Sequence, residues 1–440
     1  MKFTNRRRSL LDSLRFAGVV LCLYTTIAFA SGPVEKVIYT FSGSPGGAGP
    51  VGGLIADSSG NLYGTALHGG GNAACDCGIV FELSPPSTGS SAWTETVLYS
   101  FQGGTNDGYY PSGTLVMDSV GNLYGTTENG GPVTEYCAFG CGSIFELSPP
   151  PTPHGTWKET ILSFFTPDCN QGCWPNGSLI FDGVGNLYGV TPDTEGVVFE
   201  LSPPLSGETT WTRTTLHLFH KNEGFNPLSL VMRRGNLYGT TGGGYPDNAG
   251  AVFQLVHTNT GWTAHILYKF PILLASGSEP VGRLIFDRDG NIYGTTYFGG
   301  IGATNAQTGF GVVYELSPAT TPGDPWVETT LYSFTGGKDG ANPYGGLHFD
   351  RSGNLYGTAS TGGLRNKQTR QNGTIFELSP PAVTGADWTE TTLHDFGGSA
   401  YSDGSEPTHE LLQVGGKLYG TTFQGGSSNL GTVFSLVITP

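Results

Sequence analysis

Six cysteines are the residues of this 440-residue sequence whose type and spacing most directly suggest chemistry. They form three close pairs, Cys75/Cys77, Cys137/Cys141 and Cys169/Cys173. A seventh cysteine, Cys22, stands alone near the N-terminus. Close pairs of thiols form disulfides in an oxidising compartment, whereas thiolates in a reducing one often bind zinc. The compartment therefore decides between the two chemistries.

The N-terminus has the three parts of a secretory signal. A charged start over residues 2–8 precedes an apolar run over residues 16–30, and Ala28-Phe29-Ala30 offers a small-x-small cleavage site. A membrane helix needs about 20 apolar residues, which is longer than this run. We therefore predict a cleaved signal peptide over residues 1–30 and no membrane span after cleavage. The mature chain is expected outside the inner membrane: extracellular, at the cell surface or in the periplasm.

Cleavage would remove Cys22 and leave an even number of cysteines. An even count in an exported chain favours disulfides, and the six remaining cysteines are our disulfide candidates. The close spacings keep zinc open as the competing interpretation, although the pairs include no histidine. We expect no metal site and no cofactor.

Composition excludes several classes of partner. The formal net charge is −15, and loss of residues 1–30, which hold five Lys/Arg and one Asp, would make it −19. Such an acidic surface repels nucleic acid and anionic lipid. The 71 glycines and 12% aromatic residues indicate an all-β protein with many tight turns.

The elements that must position the cysteines come from one repeated phrase. Gly60-Asn61-Leu62-Tyr63-Gly64-Thr65 recurs six more times, and its tyrosine falls at positions 63, 124, 188, 238, 293, 356 and 419. Each unit contains four short runs rich in β-branched and aromatic residues, which we designate strands a, b, c and d, with the phrase in strand b. Four strands per unit of this length are typical of a propeller blade.

The two ends of the chain complete each other. Residues 33–41 match the strand d of Trp93 to Phe101, and the last unit ends on a strand c without a strand d. Pairing residues 33–41 with residues 432–437 would close a ring and hide both open edges. We predict an all-β, seven-bladed β-propeller of four-stranded blades, as a single domain over residues 31–440.

Whole units of the sequence resemble a known repeat. The phrases D-x-x-G-N-L-Y-G-T-T, G-x-V-F-E-L-S-P-P and W-x-E-T-x-L-Y-S-F are similar to the Gloeo–Verruco (GloVer) tandem repeat over residues 33–437. The resemblance implies an exported bacterial protein of propeller-like fold, and it transfers no catalytic residue. Some members carry a C-terminal surface anchor, whereas only Val437-Ile438-Thr439-Pro440 follow Leu436 here.

Acidic residues recur in two kinds of loop. Asp57 opens the a–b turn and has counterparts at 118, 182, 287 and 350, for which we expect a structural turn role. The d–a loops share Gly-x-x-Pro, and four of them place an acid before the glycine: Asp107, Glu223, Asp339 and Asp403. A carboxylate ring for a cation would be conceivable, but Asp-Gly is an ordinary turn pair, and we favour turn chemistry.

Aromatic residues crowd the loop face formed by the d–a and b–c loops, which also carries the cysteines. Aromatic faces bind sugars and peptides by stacking and burial. Our candidate ligand-binding residues are Trp174, Tyr109, Tyr110, Tyr136, Tyr245, Tyr297, Phe298 and Tyr344. The alternative is that these rings only pack the loops onto the blades. We recognise no catalytic residue.

The sequence thus predicts a secreted repeat propeller that acts as a binding or scaffold module for extracellular glycan or protein. The alternative is an extracellular polysaccharide lyase or glycoside hydrolase with its site in the mouth of the loop face. An enzyme should show carboxylates, or a histidine with a carboxylate, converging in that mouth, whereas a binding module should show exposed aromatics without such a cluster.

Overall fold

A computed structural model describes residues 34–438 except for several short loop segments. The omitted segments are 72–74, 153–154, 167–168, 170–171, 194, 221–222, 244–248, 273–275, 306, 320, 322–323, 364–371 and 384. The predicted signal peptide, residues 1–30, lies outside the described residues. Within them, no helix has the length and apolar character needed to cross a membrane.

The described chain is built from antiparallel β-strands arranged as seven blades. The first strand is β1 (Glu35–Thr40). Blades 1 to 3 then follow: β2 (Gly47–Ala56), β3 (Leu62–Gly69), β4 (Ile79–Ser84) and β5 (Thr94–Ser100); β6 (Gly108–Met117), β7 (Leu123–Gly130), β8 (Ser143–Ser148) and β9 (Lys158–Phe164); β10 (Ile180–Phe181), β11 (Leu187–Thr191), β12 (Val197–Ser202) and β13 (Thr212–Leu218).

Blades 4 and 5 are β14 (Phe225–Arg233), β15 (Asn236–Gly242), β16 (Ala251–Thr258) and β17 (Gly261–Lys269); β18 (Gly277–Phe286), β19 (Ile292–Gly299), β20 (Val312–Ser317) and β21 (Val327–Ser333). Blade 6 has a divided strand a: β22 (Ala341–Pro343), β23 (His348–Phe349), β24 (Leu355–Thr361), β25 (Thr374–Ser379) and β26 (Thr389–Asp395). A 3-10 turn (Ser399–Tyr401) precedes blade 7, which comprises β27 (Gly404–Ser405), β28 (Leu412–Val414), β29 (Lys417–Thr422), β30 (Gln424–Gly425) and β31 (Thr432–Val437).

The ring closes through the first strand. β1 pairs antiparallel with β31, and Glu35 lies opposite Leu436 while Thr40 lies opposite Thr432. The sheet order β28-β29-β31-β1 therefore supplies blade 7 with its strand d from the other end of the chain. The predicted all-β fold, the seven blades and the closure by residues 33–41 are confirmed.

The repeated Gly-Asn-Leu-Tyr-Gly-Thr phrase is a packing device. A Cβ on Gly125 would lie 2.6 Å from Cζ of Phe145, the strand c ring that covers it, so only glycine fits there. The a–b turn is held by Asp57, whose carboxylate accepts hydrogen bonds from the Asn61 backbone N–H (2.9 Å) and from Tyr63 Oη (3.1 Å). The same bonds recur at Asp118, Asp182, Asp287 and Asp350. The expected structural role of these aspartates is confirmed.

Neighbouring blades are joined by an aromatic seam. The last aromatic ring of each strand d packs edge-on against the strand c ring of the next blade, with centroids 4.9 to 5.5 Å apart. Such contacts contribute about 0.5–1.5 kcal/mol each beyond their buried area. The seven pairs are Phe41–Phe81, Phe101–Phe145, Phe165–Phe199, Phe219–Phe253, Phe270–Tyr314, Phe334–Phe376 and Phe396–Phe434.

The threonine of the phrase links blades nearer the axis. Thr126 Oγ1 lies 3.1 Å from the carbonyl of Ser112 in its own blade and 3.4 Å from that of Gly177 in the next. Val190 replaces this threonine in blade 3 and has no hydroxyl to donate. Residues of strand a from blades 2 to 7 line a central channel, and we call its end beside the d–a loops the mouth.

Candidate functional site

The seven d–a loops place one residue of each blade in the same unusual conformation. The residue immediately before the proline of every Gly-x-x-Pro has a left-handed backbone, with φ between 53° and 60°. We call this set the rim residues: Gly49, Tyr110, Trp174, Asn226, Glu279, Asn342 and Glu406.

Contacts with the preceding blade fix this conformation. The backbone N–H of Trp174 donates to the carbonyl of Cys141 (2.8 Å), and that of Glu279 donates to the carbonyl of Ala249 (2.7 Å). The proline that follows packs on the glycine that opens the neighbouring strand c: a Cβ on Gly142 would lie 2.6 Å from Cδ of Pro175. Each d–a loop is therefore clamped onto the blade before it.

The rim residues combine a constant backbone with variable side chains. A left-handed conformation costs a non-glycine residue roughly 1–2 kcal/mol, so glycine would satisfy the backbone best. Only blade 1 has glycine, at Gly49, while the other six rim residues carry aromatic, amide or carboxylate groups. Strained backbone that persists in this way is concentrated at functional sites.

A recess of about 570 Å³ opens within the mouth on the side of blades 4 to 7. This volume lies within the range of small-ligand sites. We call it the mouth recess; it is lined by Asn226, Leu228, Gly242, Gly243, Glu279, Val281, Tyr297, Tyr344, Ser360, Thr361, Glu406 and Thr408. The rings of Tyr297 and Tyr344 stand edge to face, with centroids 6.0 Å apart. Tyr344 remains 40% exposed and is accessible to a ligand.

Carboxylates dominate the electrostatics of the mouth recess. Glu279 and Glu406 line it, and among the residues that the structure describes no lysine or arginine lines it. Burial raises the pKa of Glu279 and the pKa of Glu406 above the ordinary value. Burial also raises the pKa of Tyr344, and the nearby charges of Glu128 and Glu279 raise it further. The described lining of the recess therefore disfavours an anionic ligand.

Hydrogen bonds between blades surround the part of the channel next to the recess. This part of the channel contains a cavity of about 100 Å³. Tyr344 and Thr408 line both the cavity and the recess. His409 Nε2 accepts the backbone N–H of Gly52 (2.9 Å), which leaves Nδ1–H to donate to Thr408 Oγ1 (2.9 Å). Burial lowers the pKa of His409 and keeps the ring neutral. Glu410 accepts a hydrogen bond from Thr114 (3.0 Å), so both groups serve to link blades.

The structure brings some of the predicted aromatics together and separates others. Tyr297 and Tyr344 line the mouth recess, and Tyr110 and Trp174 are rim residues. Two further predicted aromatics pack against these residues. Tyr109 stacks on Tyr110 with ring centroids 3.9 Å apart, and Phe298 contacts Tyr297 with ring centroids 4.7 Å apart.

Two predicted residues do not join this group. Tyr136 is 81% exposed on the b–c loop of blade 2 and does not line the recess. Tyr245 lies outside the described residues.

The four polar rim residues were not predicted from the sequence: Asn226, Glu279, Asn342 and Glu406. The Gly-x-x-Pro motif contained the signal, because these residues precede its proline in blades 4 to 7. The acid before the glycine of this motif is directed into its own loop. Asp107 accepts hydrogen bonds from the Gln102 backbone N–H (2.6 Å) and from Tyr99 Oη (3.1 Å).

The other three acids before the glycine bond in the same way. Each carboxylate contacts a tyrosine or histidine of the strand d that leads into its loop: Asp339 with Tyr332, Glu223 with His217, and Asp403 with His394. These acids close turns, as the Asp-Gly pairs indicated, and their oxygens are engaged within their loops.

The cysteines form three disulfides within the close pairs. Cys75 is bonded to Cys77, Cys137 to Cys141 and Cys169 to Cys173, with Cα atoms 5.1, 5.4 and 5.2 Å apart. The predicted disulfide bonding is confirmed. All three bridges are local, so each stabilises one loop of the loop face.

The protein is a β-propeller repeat protein in which seven blades surround a channel. Its candidate site is the mouth of that channel, where clamped loops carry side chains that vary from blade to blade. The Gloeobacter/Verrucomicrobia repeat matches residues 25–210, 135–306 and 300–439. The chain belongs to this family. A search of curated proteins found no match. The family and the fold indicate a binding or scaffold module in general terms, and the disulfides are typical of an extracellular protein.

Proposed function

We propose that the protein is a secreted carbohydrate-binding module that holds a neutral or amino-bearing glycan in the mouth recess. The observation that carries the proposal is the ring of rim residues, where a strained backbone is kept while the side chain changes from blade to blade. Elsewhere in the blades, the repeated residues pack the strands together. The rim residues differ from blade to blade, so they would determine ligand specificity.

The chemistry of the recess suits a sugar. Tyr344 and Tyr297 offer apolar faces against which the C–H face of a pyranose stacks. Asn226, Ser360 and Thr361 offer donors and acceptors for hydroxyl groups. Glu279 and Glu406 accept hydrogen bonds from hydroxyls and would attract an ammonium group. A polyuronate would meet these carboxylates, and the described lining residues include no cation to compensate them, which disfavours it.

The concave shape of the mouth recess favours a glycan over a protein as its ligand. A stable protein–protein interface buries about 800 Å² on each partner. The mouth recess is a hollow that matches a small ligand or one segment of a chain. The rigid, clamped loops reduce the ordering cost of binding.

A glycan array that contains neutral, amino and uronate polysaccharides tests the proposal, followed by calorimetric titration of the best ligand. We expect Tyr344→Ala to weaken binding about 10-fold, which corresponds to about 1.4 kcal/mol. Tyr136→Ala is the matched control, because Tyr136 is an exposed aromatic of the same loop face outside the recess. Loss of binding in Tyr136→Ala with none in Tyr344→Ala would move the site to the outer loops, and selective binding of uronates would contradict the electrostatic argument.

One observation favours glycoside hydrolysis as a second candidate. Glu279 and Glu406 line the same recess, and burial raises the pKa of each, as it does for the acid of a glycosidase pair. The mouth thus combines the aromatics expected of a binding module with the carboxylates expected of an enzyme. A lyase fits less well, because removing a proton beside a uronate carboxylate calls for a cation, and the described residues of the recess lining include none.

Release of reducing ends from a polysaccharide panel separates the two candidates. If the protein is a hydrolase, Glu279→Gln and Glu406→Gln should each lower turnover at least about 100-fold while binding persists. If it is a binding module, the wild-type protein releases no reducing ends from the glycan that it binds.

A further inference from the structure

Four of the cysteines lie closer together than two separate disulfides require. Cys137 and Cys141 belong to the b–c loop of blade 2, while Cys169 and Cys173 belong to the d–a loop that leads into blade 3. Their four Sγ atoms all lie within 4.8 Å of one another. Cys137, Cys141 and Cys173 are fully buried, and Cys169 is half-buried. We call these residues the four-sulfur cluster.

The two loops of the cluster are built on one frame. Both read C-x-x-G-C, as Cys137-Ala138-Phe139-Gly140-Cys141 and as residues 169–173. In each, the glycine N–H donates to the carbonyl of the first cysteine at 3.0 Å, and Gly140 and Gly172 are left-handed with φ of 80° and 85°. These turns place both cysteines of a loop on one side, toward the other loop.

The distances in the cluster suit a tetrahedral metal ion. Zinc bound by four thiolates has Zn–S bonds of about 2.3 Å, which separate the sulfurs by about 3.8 Å. The sulfurs of a disulfide are about 2 Å apart. Reduction would let each bonded pair open toward the tetrahedral separation, and sulfurs of opposite loops, at most 4.8 Å apart, already lie near it.

We propose that, when its two disulfides are reduced, the four-sulfur cluster binds one zinc ion as a four-thiolate site that ties blade 2 to blade 3. Reduction adds four electrons and four protons, which two molecules of a dithiol supply by becoming cyclic disulfides. Zinc then displaces the four thiol protons, so that the bound complex carries a charge of about −2. The oxidised protein holds the same loops with two covalent bridges instead.

The four-sulfur cluster is adjacent to one of the rim residues. Trp174 directly follows Cys173, and its N–H donates to the carbonyl of Cys141 at 2.8 Å. Disulfides and bound zinc would both hold this tryptophan, which is 37% exposed, at the mouth. The reduced, metal-free chain would lose both constraints.

Metal binding to the full chain tests the inference directly. The protein is reduced anaerobically with a dithiol, freed of reductant, and given Zn²⁺ or Co²⁺. We expect one metal ion per chain after dialysis and, with Co²⁺, the visible absorption of a tetrahedral thiolate complex. Cys137→Ser/Cys173→Ser should abolish both signals. Cys75→Ser/Cys77→Ser is the matched control, because it removes the disulfide pair outside the cluster and should retain the metal.

Three results would overturn the inference: a reduced, folded chain that retains no metal, equal metal retention by the Cys137→Ser/Cys173→Ser variant, or a reduced chain that unfolds even with zinc present. Circular dichroism distinguishes the first from the third. The glycan proposal is independent of all three, because it is measured on the oxidised protein.

Discussion

Glycine at rim position 279 should stabilise the protein relative to alanine. Glu279 has φ of 54°, and its N–H is held by the carbonyl of Ala249 in the preceding blade. Alanine keeps the left-handed cost of roughly 1–2 kcal/mol, which glycine avoids. Glycine loses about 0.5–1 kcal/mol more conformational entropy on folding. The midpoints of these two ranges leave Glu279→Gly more stable than Glu279→Ala by about 0.75 kcal/mol.

Urea denaturation followed by tryptophan fluorescence measures this difference. The control is Val327, a 58% exposed position of β21 that is not among the left-handed residues. There the order should reverse, since glycine in a strand is less stable than alanine by about 0.5–1 kcal/mol. The opposite signs at the two positions are the diagnostic result.

Equal stability of the two Glu279 variants, or higher stability of the alanine variant, would refute the claim of a strained rim. The same two variants report on function. Both lack the carboxylate, so both should bind the glycan more weakly than wild type, whichever is the more stable. A variant that gains stability and keeps full affinity would separate the rim from the binding site.

Three further predictions concern the packing of the ring. In the same urea assay, Gly311→Ala should lower the free energy of unfolding by about 2 kcal/mol more than Gly60→Ala. Both glycines have a left-handed backbone, but only at Gly311 would an added Cβ contact Pro343, at 2.6 Å from its Cδ. Burial, with a neighbouring carboxylate, raises the pKa of Glu159 from 4.5 to about 7. The stability that its protonation contributes should be present below pH 4.5 and lost as pH rises through about 7, a trend absent from Glu159→Gln in a pH series of unfolding midpoints. Deleting residues 33–41 should expose the edge of β31 and give aggregates in size-exclusion chromatography, whereas a monomer of unchanged stability would refute the closure.

Blade count and ring closure were predictable because their signals are local. Strand length, turn residues and the Gly-Asn-Leu-Tyr-Gly-Thr phrase all lie within a few residues of each other. Residues 33–41 could be assigned to blade 7 because they match strand d position by position. The disulfides were predictable in the same way, since each cysteine is bonded to its nearest cysteine in the chain.

The candidate site was only partly predictable. Tyr297 and Tyr344 were recognised by residue type, because aromatic rings in loops are conspicuous. Glu279 and Glu406 were overlooked, because a left-handed backbone is rare for glutamate and a place before the proline of Gly-x-x-Pro does not by itself reveal that conformation. Their proximity also depends on blades more than 100 residues apart in sequence meeting around one axis.

The sequence by itself determined the fold, because every blade repeats the same short-range instructions for strands, turns and close packing. The tertiary structure alone decided which side chains converge. Packing blade 3 beside blade 2 sets the two cysteine loops against each other. Closing the ring brings seven d–a loops to one mouth, where residues of blades 4 to 7 that are distant in the chain form the recess.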